Sequence, residues 1–150
     1  MILPPHRTQL IRRATALLCR RLGWAALHEV PLPNGRRADM LALRPDGRFA
    51  CIEIKSCAND FLSDAKWRDY RDYCDTLSFA VDLDFPVALL PDDAGLVQTA
   101  DCDAEFIREP PVHPLSPARR RSLTHHFGIL AASRLAQLTD PADQFVLKAE

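Results

Sequence analysis

The stretch Arg36 to Ser56, RRADMLALRPDGRFACIEIKS, restricts the fold more than any other part of this 150-residue chain. Two short apolar runs, Arg37 to Leu43 and Phe49 to Lys55, are joined by Pro45-Asp46-Gly47. Runs of this length around a Pro-Asp-Gly turn read as the two strands of a hairpin, with Gly47 available for a left-handed backbone position. If those three residues are the loop, pairing is symmetric about Asp46, and Asp39 falls opposite Glu53. Side chains alternate faces along a strand, so Glu53 and Lys55 share one face while Ile52 and Ile54 point to the other. A slip of one residue would send Asp39 to the wrong face. The turn therefore decides whether three charged side chains meet in the middle of two otherwise apolar strands.

The rest of the chain reads as a frame around this hairpin. Thr8 to Leu22 carries Leu10, Ile11, Ala14, Leu17, Leu18 and Leu22 at helical spacing, and Gly23 supplies the stop. Its polar side holds Arg12, Arg13, Arg20 and Arg21. Ala25 to Val30 is a short strand that includes Glu29. Asn59 caps a predicted helix running to about Cys74. Thr76 to Val81 and Val87 to Leu90 read as strands, followed by shorter ones at Gly95 to Thr99 and Glu105 to Ile107. Ser116-Pro117 opens a last helix to about Leu138, with Leu123, Phe127, Leu130, Ala131, Leu135 and Leu138 on one face. The order predicts an α/β fold: one domain over residues 1–150, a central mixed β-sheet flanked by helices, and a peripheral tail from about 139.

Composition is that of a globular chain, with 47% hydrophobic and 26% charged residues. No run approaches the roughly 20 apolar residues of a membrane span, and the N-terminal MILPPHRTQLIRR lacks a secretory h-region. The expectation is a cytoplasmic protein with no membrane partner. Five Cys, an odd number with no C-x-x-C pair, fit core or spectator thiols rather than a disulfide framework or zinc knuckle. The formal net charge of −1 conceals segregation: residues 1–48 hold nine Arg against three acids, and residues 59–109 hold thirteen acids against four bases. Such segregation is read either as two solvated helix surfaces or as a face for an anionic partner.

The chemistry lies in the three charges. Directly opposed carboxylates, with Cβ atoms roughly 4.5–5.5 Å apart, repel each other. A hard divalent cation relieves that repulsion. Mg2+ (or Mn2+) takes oxygen ligands, typically one or two carboxylates with water and substrate phosphate. Lys55 beside them is suited to orient an attacking water or to stabilise charge on a phosphate. Asp39, Glu53 and Lys55 are thus the minimum set for metal-assisted phosphodiester hydrolysis. The plainer reading is an Asp–Lys or Glu–Lys ion pair on an exposed sheet face. No Ser–His or Cys–His nucleophile arrangement is offered here.

Arg36-Arg37-Ala38-Asp39, then thirteen residues, then Glu53-Ile54-Lys55 resembles the signature of the PD-(D/E)xK nuclease superfamily, with Ala38 where the nominal pattern has Pro. The longer segments NGRRADMLAL, CIEIKSCANDFLSDAKWRDYRDYCD, FAVD and PARRRSL resemble the bacterial MmcB-like DNA repair proteins, from about Arg7 to Leu135. The resemblance implies a restriction-endonuclease-like fold and an endonuclease acting on DNA in repair. By position it implies Asp39 and Glu53 as metal ligands, helped by the Ile54 carbonyl, and Lys55 as the catalytic lysine. Superfamily members often bring a further acid from the first helix. That helix has none here, and Glu29 is the nearest substitute.

In the helix after the motif, Lys66 and Tyr70 are four residues apart and share a face, where they are candidates for touching a phosphate or base. Asp64 is read as an ordinary surface partner of Arg68, and Trp67 as core or an interface anchor. Arg36 and Arg37, beside Asp39, are candidates for the DNA backbone, where Arg positions a duplex without reading sequence; Arg12, Arg13 and Arg119 to Arg121 are weaker ones. His125 and His126 point to different sides of a helix and are read as structural or solvated. The competing functions are a non-catalytic DNA-binding or scaffold component of a repair complex, and an RNA-processing or small-molecule enzyme on the same fold. Repair-protein partners or a homodimer are compatible with either.

Overall fold

The structure is a computed structural model and describes residues 4–141 other than Ala65. The tail from about 139 falls mostly outside those residues. The chain divides into two units, Met1–Leu115 and Ser116–Glu150.

The first unit opens with helix α1, Pro4–Arg21. It starts four residues earlier than the spacing predicts, because proline is tolerated in a first helical turn. It ends where expected. Gly23 takes φ +75°, the Trp24 amide donates to the Cys19 carbonyl at 2.8 Å and the Gly23 amide to that of Arg20 at 3.1 Å. These two bonds form a Schellman cap, which favours glycine at the left-handed position.

Six strands form one mixed sheet in chain order: β1 Ala25–Pro31, β2 Arg37–Leu43, β3 Phe49–Ile54, β4 Thr76–Asp82, β5 Gly95–Ala100 and β6 Asp103–Arg108. The β1–β2, β2–β3 and β5–β6 pairs are antiparallel, and β3–β4 and β4–β5 are parallel. The β2–β3 hairpin has the expected register, with Met40 opposite Ile52 and Leu43 opposite Phe49. Gly47 adopts φ +86°, and the Arg44 amide donates across the turn to the Arg48 carbonyl at 2.9 Å.

Alternation then sorts the sheet into two packed faces. Met40, Ala42, Ala50, Ile52, Ile54, Ala80 and Val97 form one core with Ile11, Ala14, Leu18 and Cys19 of α1. The opposite face carries Phe79, met edge-on by the rings of Phe61 at 5.5 Å and Trp67 at 5.4 Å. Trp67 is thus core.

The crossover from β3 to β4 differs from expectation. A continuous helix from Asn59 to Cys74 is replaced by a short α2, Ala58–Ser63, and a 3₁₀ helix, Trp67–Tyr73. The N-cap is Cys57, not Asn59, with no side-chain cap; the Asp60 carboxylate of the first turn reaches back to accept the Ser56 amide at 3.3 Å. The break falls at Asp64, whose side chain accepts from Lys55 and from the Lys66 amide rather than pairing with Arg68. Arg68 turns to Asp93 instead. Val87 to Leu90 is also not a strand. Bracketed by Pro86 and Pro91, it closes into a 3₁₀ turn, Val87–Leu89, with the Leu89 amide on the Pro86 carbonyl at 3.1 Å.

A buried carboxylate ties the unit together. Asp75, 1% exposed, accepts from the Phe49 amide at 2.7 Å and the Leu115 amide at 3.0 Å. Its own amide donates to the Phe49 carbonyl, and its carbonyl accepts from His113. One side chain thus joins the start of β3, the end of the crossover and the extended segment after β6.

The second unit contains α3, Pro117–Thr139. The Ser116 hydroxyl accepts from the Arg119 amide at 3.2 Å, as an N-cap should. Of its predicted apolar face, Leu123 and Phe127 are buried, whereas Leu135 and Leu138 are exposed, so the stripe is only half used. His125 is exposed.

Candidate active site

The hairpin pairs regularly up to Met40 and Ile52, and there the β2–β3 ladder stops. The outer ladders continue, to Pro31–Arg37 on one side and Ile54–Ala80 on the other. Asp39 and Glu53 do occupy opposed positions, but across a wedge between parting strands rather than on a paired rung. Their side chains take the place of the missing ladder bonds. The Asp39 amide donates to Glu53 Oε1 at 3.1 Å, and the Ile54 amide donates to Asp39 Oδ2 at 2.9 Å. Each carboxyl group is thereby anchored to the other strand's backbone.

Glu53 is 2% exposed, and its pKa is pushed up to about 9. Burial is the main cause, followed by the charge of Asp39 and a carboxyl–carboxyl hydrogen bond to it, while the Asp39 amide and Lys55 pull the other way. The Cys51 thiol lies 3.7 Å from the same Oε1, and its own pKa is raised by a hydrogen bond with Cys74, burial and the charge of Glu53.

Lys55 is buried, at 5% exposure, on the Glu53 side of the strand. Its Nζ lies 2.8 Å from Asp64 Oδ2. Burial works to lower its pKa, but the hydrogen bond and charge of Asp64, with the charges of Asp60 and Glu53, outweigh burial and raise it. The ammonium form is therefore held in place. Sequence reasoning missed this role of Asp64. The available signal was spacing: nine residues beyond Lys55, one α-helical hairpin turn brings a carboxylate back over the strand end.

These groups line a cleft of about 670 Å³ at the end of β3. Its walls include Glu29, Asp39, Glu53, Ile54, Lys55, Asp60, Asp64 and Tyr70, with Thr8 and Arg12 from α1 and Asn59 and Ser63 from α2. Of the other expected residues, Glu29 is at the cleft and adopts φ +49°, a left-handed conformation uncommon for a residue with a Cβ. Tyr70 is buried and donates its hydroxyl to the Arg37 carbonyl at 3.2 Å; burial, with the charges of Glu53, Asp64 and Asp39, raises its pKa. Lys66 shares no face with it: the helix breaks between them, Lys66 is exposed and does not line the cleft. Arg36 and Arg37 also lie outside the wall, and Arg36 pairs with Asp69 at 3.2 Å. Arg12, a weaker candidate by sequence, is brought to the cleft instead.

Among the described residues no group of three or more His, Cys, Asp and Glu side chains is placed to hold a metal ion. Asp39, Glu53 and the Ile54 carbonyl would offer a cation oxygen donors only, the kind of donor that Mg2+ takes. No described helix is long and apolar enough to cross a membrane.

Among solved structures, a protein of unknown function from Silicibacter pomeroyi is similar at 42% identity, with a TM-score of 0.84 over 93% of this chain and 94% of that one. No curated protein matches. Residues 4–142 match the family described as DNA repair protein MmcB-like. With the match extending over nearly the whole chain, the fold and the cleft described above belong to a member of the MmcB-like family of DNA repair proteins.

Proposed function

We propose that this DNA repair family member is a divalent-metal-dependent endonuclease of the PD-(D/E)xK type that hydrolyses phosphodiester bonds in DNA. The observation that carries the reading is the wedge between β2 and β3, where Glu53 is 2% exposed and Asp39 and Glu53 are each held by an amide of the other strand. Two backbone amides account for one oxygen of each carboxyl group, and a hard cation would relieve the cost of burying the two acids side by side.

In this reading Asp39, Glu53 and the Ile54 carbonyl hold Mg2+ (or Mn2+), which when bound supplies Lewis-acid stabilisation of charge on the phosphate and lowers the pKa of water. The chain's own residues do the rest. The Ile54 amide fixes the Asp39 carboxylate, and the Asp39 amide fixes that of Glu53. Asp64 keeps Lys55 protonated and oriented, so that its ammonium can face the growing negative charge of the transition state. Tyr70, whose hydroxyl is tied to the Arg37 backbone, closes the wall beside the carboxylates.

The test is incubation with single-stranded, duplex, flapped and damaged DNA in Mg2+, Mn2+ or EDTA. Cleavage of at least one substrate that needs the metal and is lost in Asp39→Ala and Lys55→Ala is the expected result. Cleavage that survives Lys55→Ala, or none with any substrate, rejects the reading. The ion pair between Lys55 and Asp64 favours one second reading, a non-catalytic DNA-binding or scaffold component, because it occupies the amine internally. DNA binding without cleavage in the same assay selects it.

A further inference from the structure

The cleft is acidic. Five carboxyl residues line it, Glu29, Asp39, Glu53, Asp60 and Asp64, against two cationic ones, Arg12 and Lys55. A polyanion that enters must find a cation not already committed to a carboxylate, and Lys55 is committed to Asp64 at 2.8 Å.

Arg12 differs from the other cations of this unit that pair internally. Arg7 is bound to Asp82, Arg36 to Asp69, Arg44 and Arg48 to Asp46, and Arg71 to Asp93. Among the described residues the Arg12 guanidinium makes no ion pair, hydrogen bond or ring contact, although it is half-buried in a wall that faces five acids. Its helix is firmly seated: Ile11, Ala14 and Leu18 are in the core beneath the sheet. Thr8, one turn before Arg12 on the same helix face, lines the same cleft. A guanidinium offers a planar fork of donors matched to two phosphate oxygens, and is weakly hydrated, so it gives up water readily on binding.

We propose that Arg12 is the substrate-phosphate anchor of this cleft, the residue on α1 that receives a backbone phosphate of DNA opposite the carboxylate wedge. The proposal rests on the reading of the cleft as a DNA site but not on hydrolysis. It places the electrostatic grip on the substrate on the first helix, rather than on Arg36, Arg37 or Lys66, which lie outside the wall.

The test is fluorescence anisotropy with a fluorescein-labelled single-stranded oligodeoxynucleotide, in EDTA and in Mg2+, across a salt series. Arg12→Gln is expected to weaken binding roughly ten- to a hundredfold, as for loss of a charge-assisted hydrogen bond. It should also reduce the slope of log affinity against log salt by about 0.7, one single-strand phosphate contact. Arg12→Lys should keep most of the slope and recover part of the affinity. Arg20→Gln, which removes the same charge from an exposed site on the same helix, should leave both unchanged. Where wild type cleaves, Arg12→Gln should raise KM and leave kcat within about threefold, since a ground-state contact is lost.

Binding of Arg12→Gln indistinguishable from wild type overturns the proposal, as does an equal loss in Arg20→Gln, or no binding by wild type in either condition. If Arg12→Gln proves poorly folded by its melting curve, Arg12→Lys decides: weakened affinity with most of the salt slope kept supports the phosphate contact, and affinity and slope both equal to wild type overturn it. An Arg12-dependent complex without cleavage would sink the hydrolysis reading and keep this one. Cleavage that is indifferent to Arg12 would do the reverse.

Discussion

Glu53→Gln should make the metal-free protein more stable above neutral pH, and the size of the effect follows from the wedge. The ordinary carboxyl value of 4.5 is raised to about 9 in the folded chain. A group with a raised folded pKa contributes stability that is fully present below its unfolded pKa and is lost as pH rises through its folded pKa. The window is therefore pH 4.5 to about 9. Within it this single group lowers the unfolding free energy by about 1.4 kcal/mol per pH unit, or about 3 kcal/mol between pH 5.5 and pH 7.5. At 2% exposure solvent screening removes little of this. Glutamine keeps the size and the acceptor for the Asp39 amide but cannot ionise. Urea unfolding of both proteins in EDTA, from pH 5.5 to 8.5, measures the difference. The two curves should diverge with rising pH, and Mg2+ should close the gap by stabilising wild type alone. Parallel curves would refute the claim that Glu53 is held protonated by its burial and by Asp39.

Three further outcomes are expected. Asp75→Ala strands the buried amide of Phe49 and the part-buried one of Leu115, and should cost about 2–4 kcal/mol by urea melts; a loss below about 1 kcal/mol would mean the amides find other acceptors. Asp64→Ala leaves the buried Lys55 ammonium without its carboxylate and should cost about 3 kcal/mol, most of it recovered in the double variant with Lys55→Met; strictly additive losses would contradict this. Glu29→Gly relieves a left-handed backbone at φ +49° and should raise stability by up to about 1 kcal/mol, and a calorimetric melt that falls instead would show the side chain to be structural.

The hairpin and its register were legible because both depend on local information, an alternating pattern and a three-residue turn. With the register known, the meeting of Asp39 with Glu53 and the separate core face of Ile52 and Ile54 followed. The parting of the strands did not, since a ladder's end depends on what neighbouring strands do. The helix from Asn59 to Cys74 was misread for a related reason. Asp64, in the middle of that span, makes a contact nine residues back in the chain, to Lys55, and the helix breaks there. Asp75 gave no signal, because its partners are backbone amides 26 and 40 residues away. Val87 to Leu90 shows the limit of composition: four apolar residues suit a strand or a turn, and the flanking prolines decide. Arg12 was legible as a weaker candidate for the DNA backbone, level with Arg13 beside it, and packing of the opposite helix face selected Arg12 for the cleft.

Mn2+ binding followed by electron paramagnetic resonance near pH 8.5, with wild type, Asp39→Asn and Glu53→Gln, tests the carboxylate wedge as a metal site most directly. Wild type should bind one ion more tightly in the presence of an oligonucleotide, and both variants should bind at least tenfold more weakly, as expected when one of two carboxylate ligands is lost. Equal binding by all three proteins, or none by wild type with the oligonucleotide present, would contradict it.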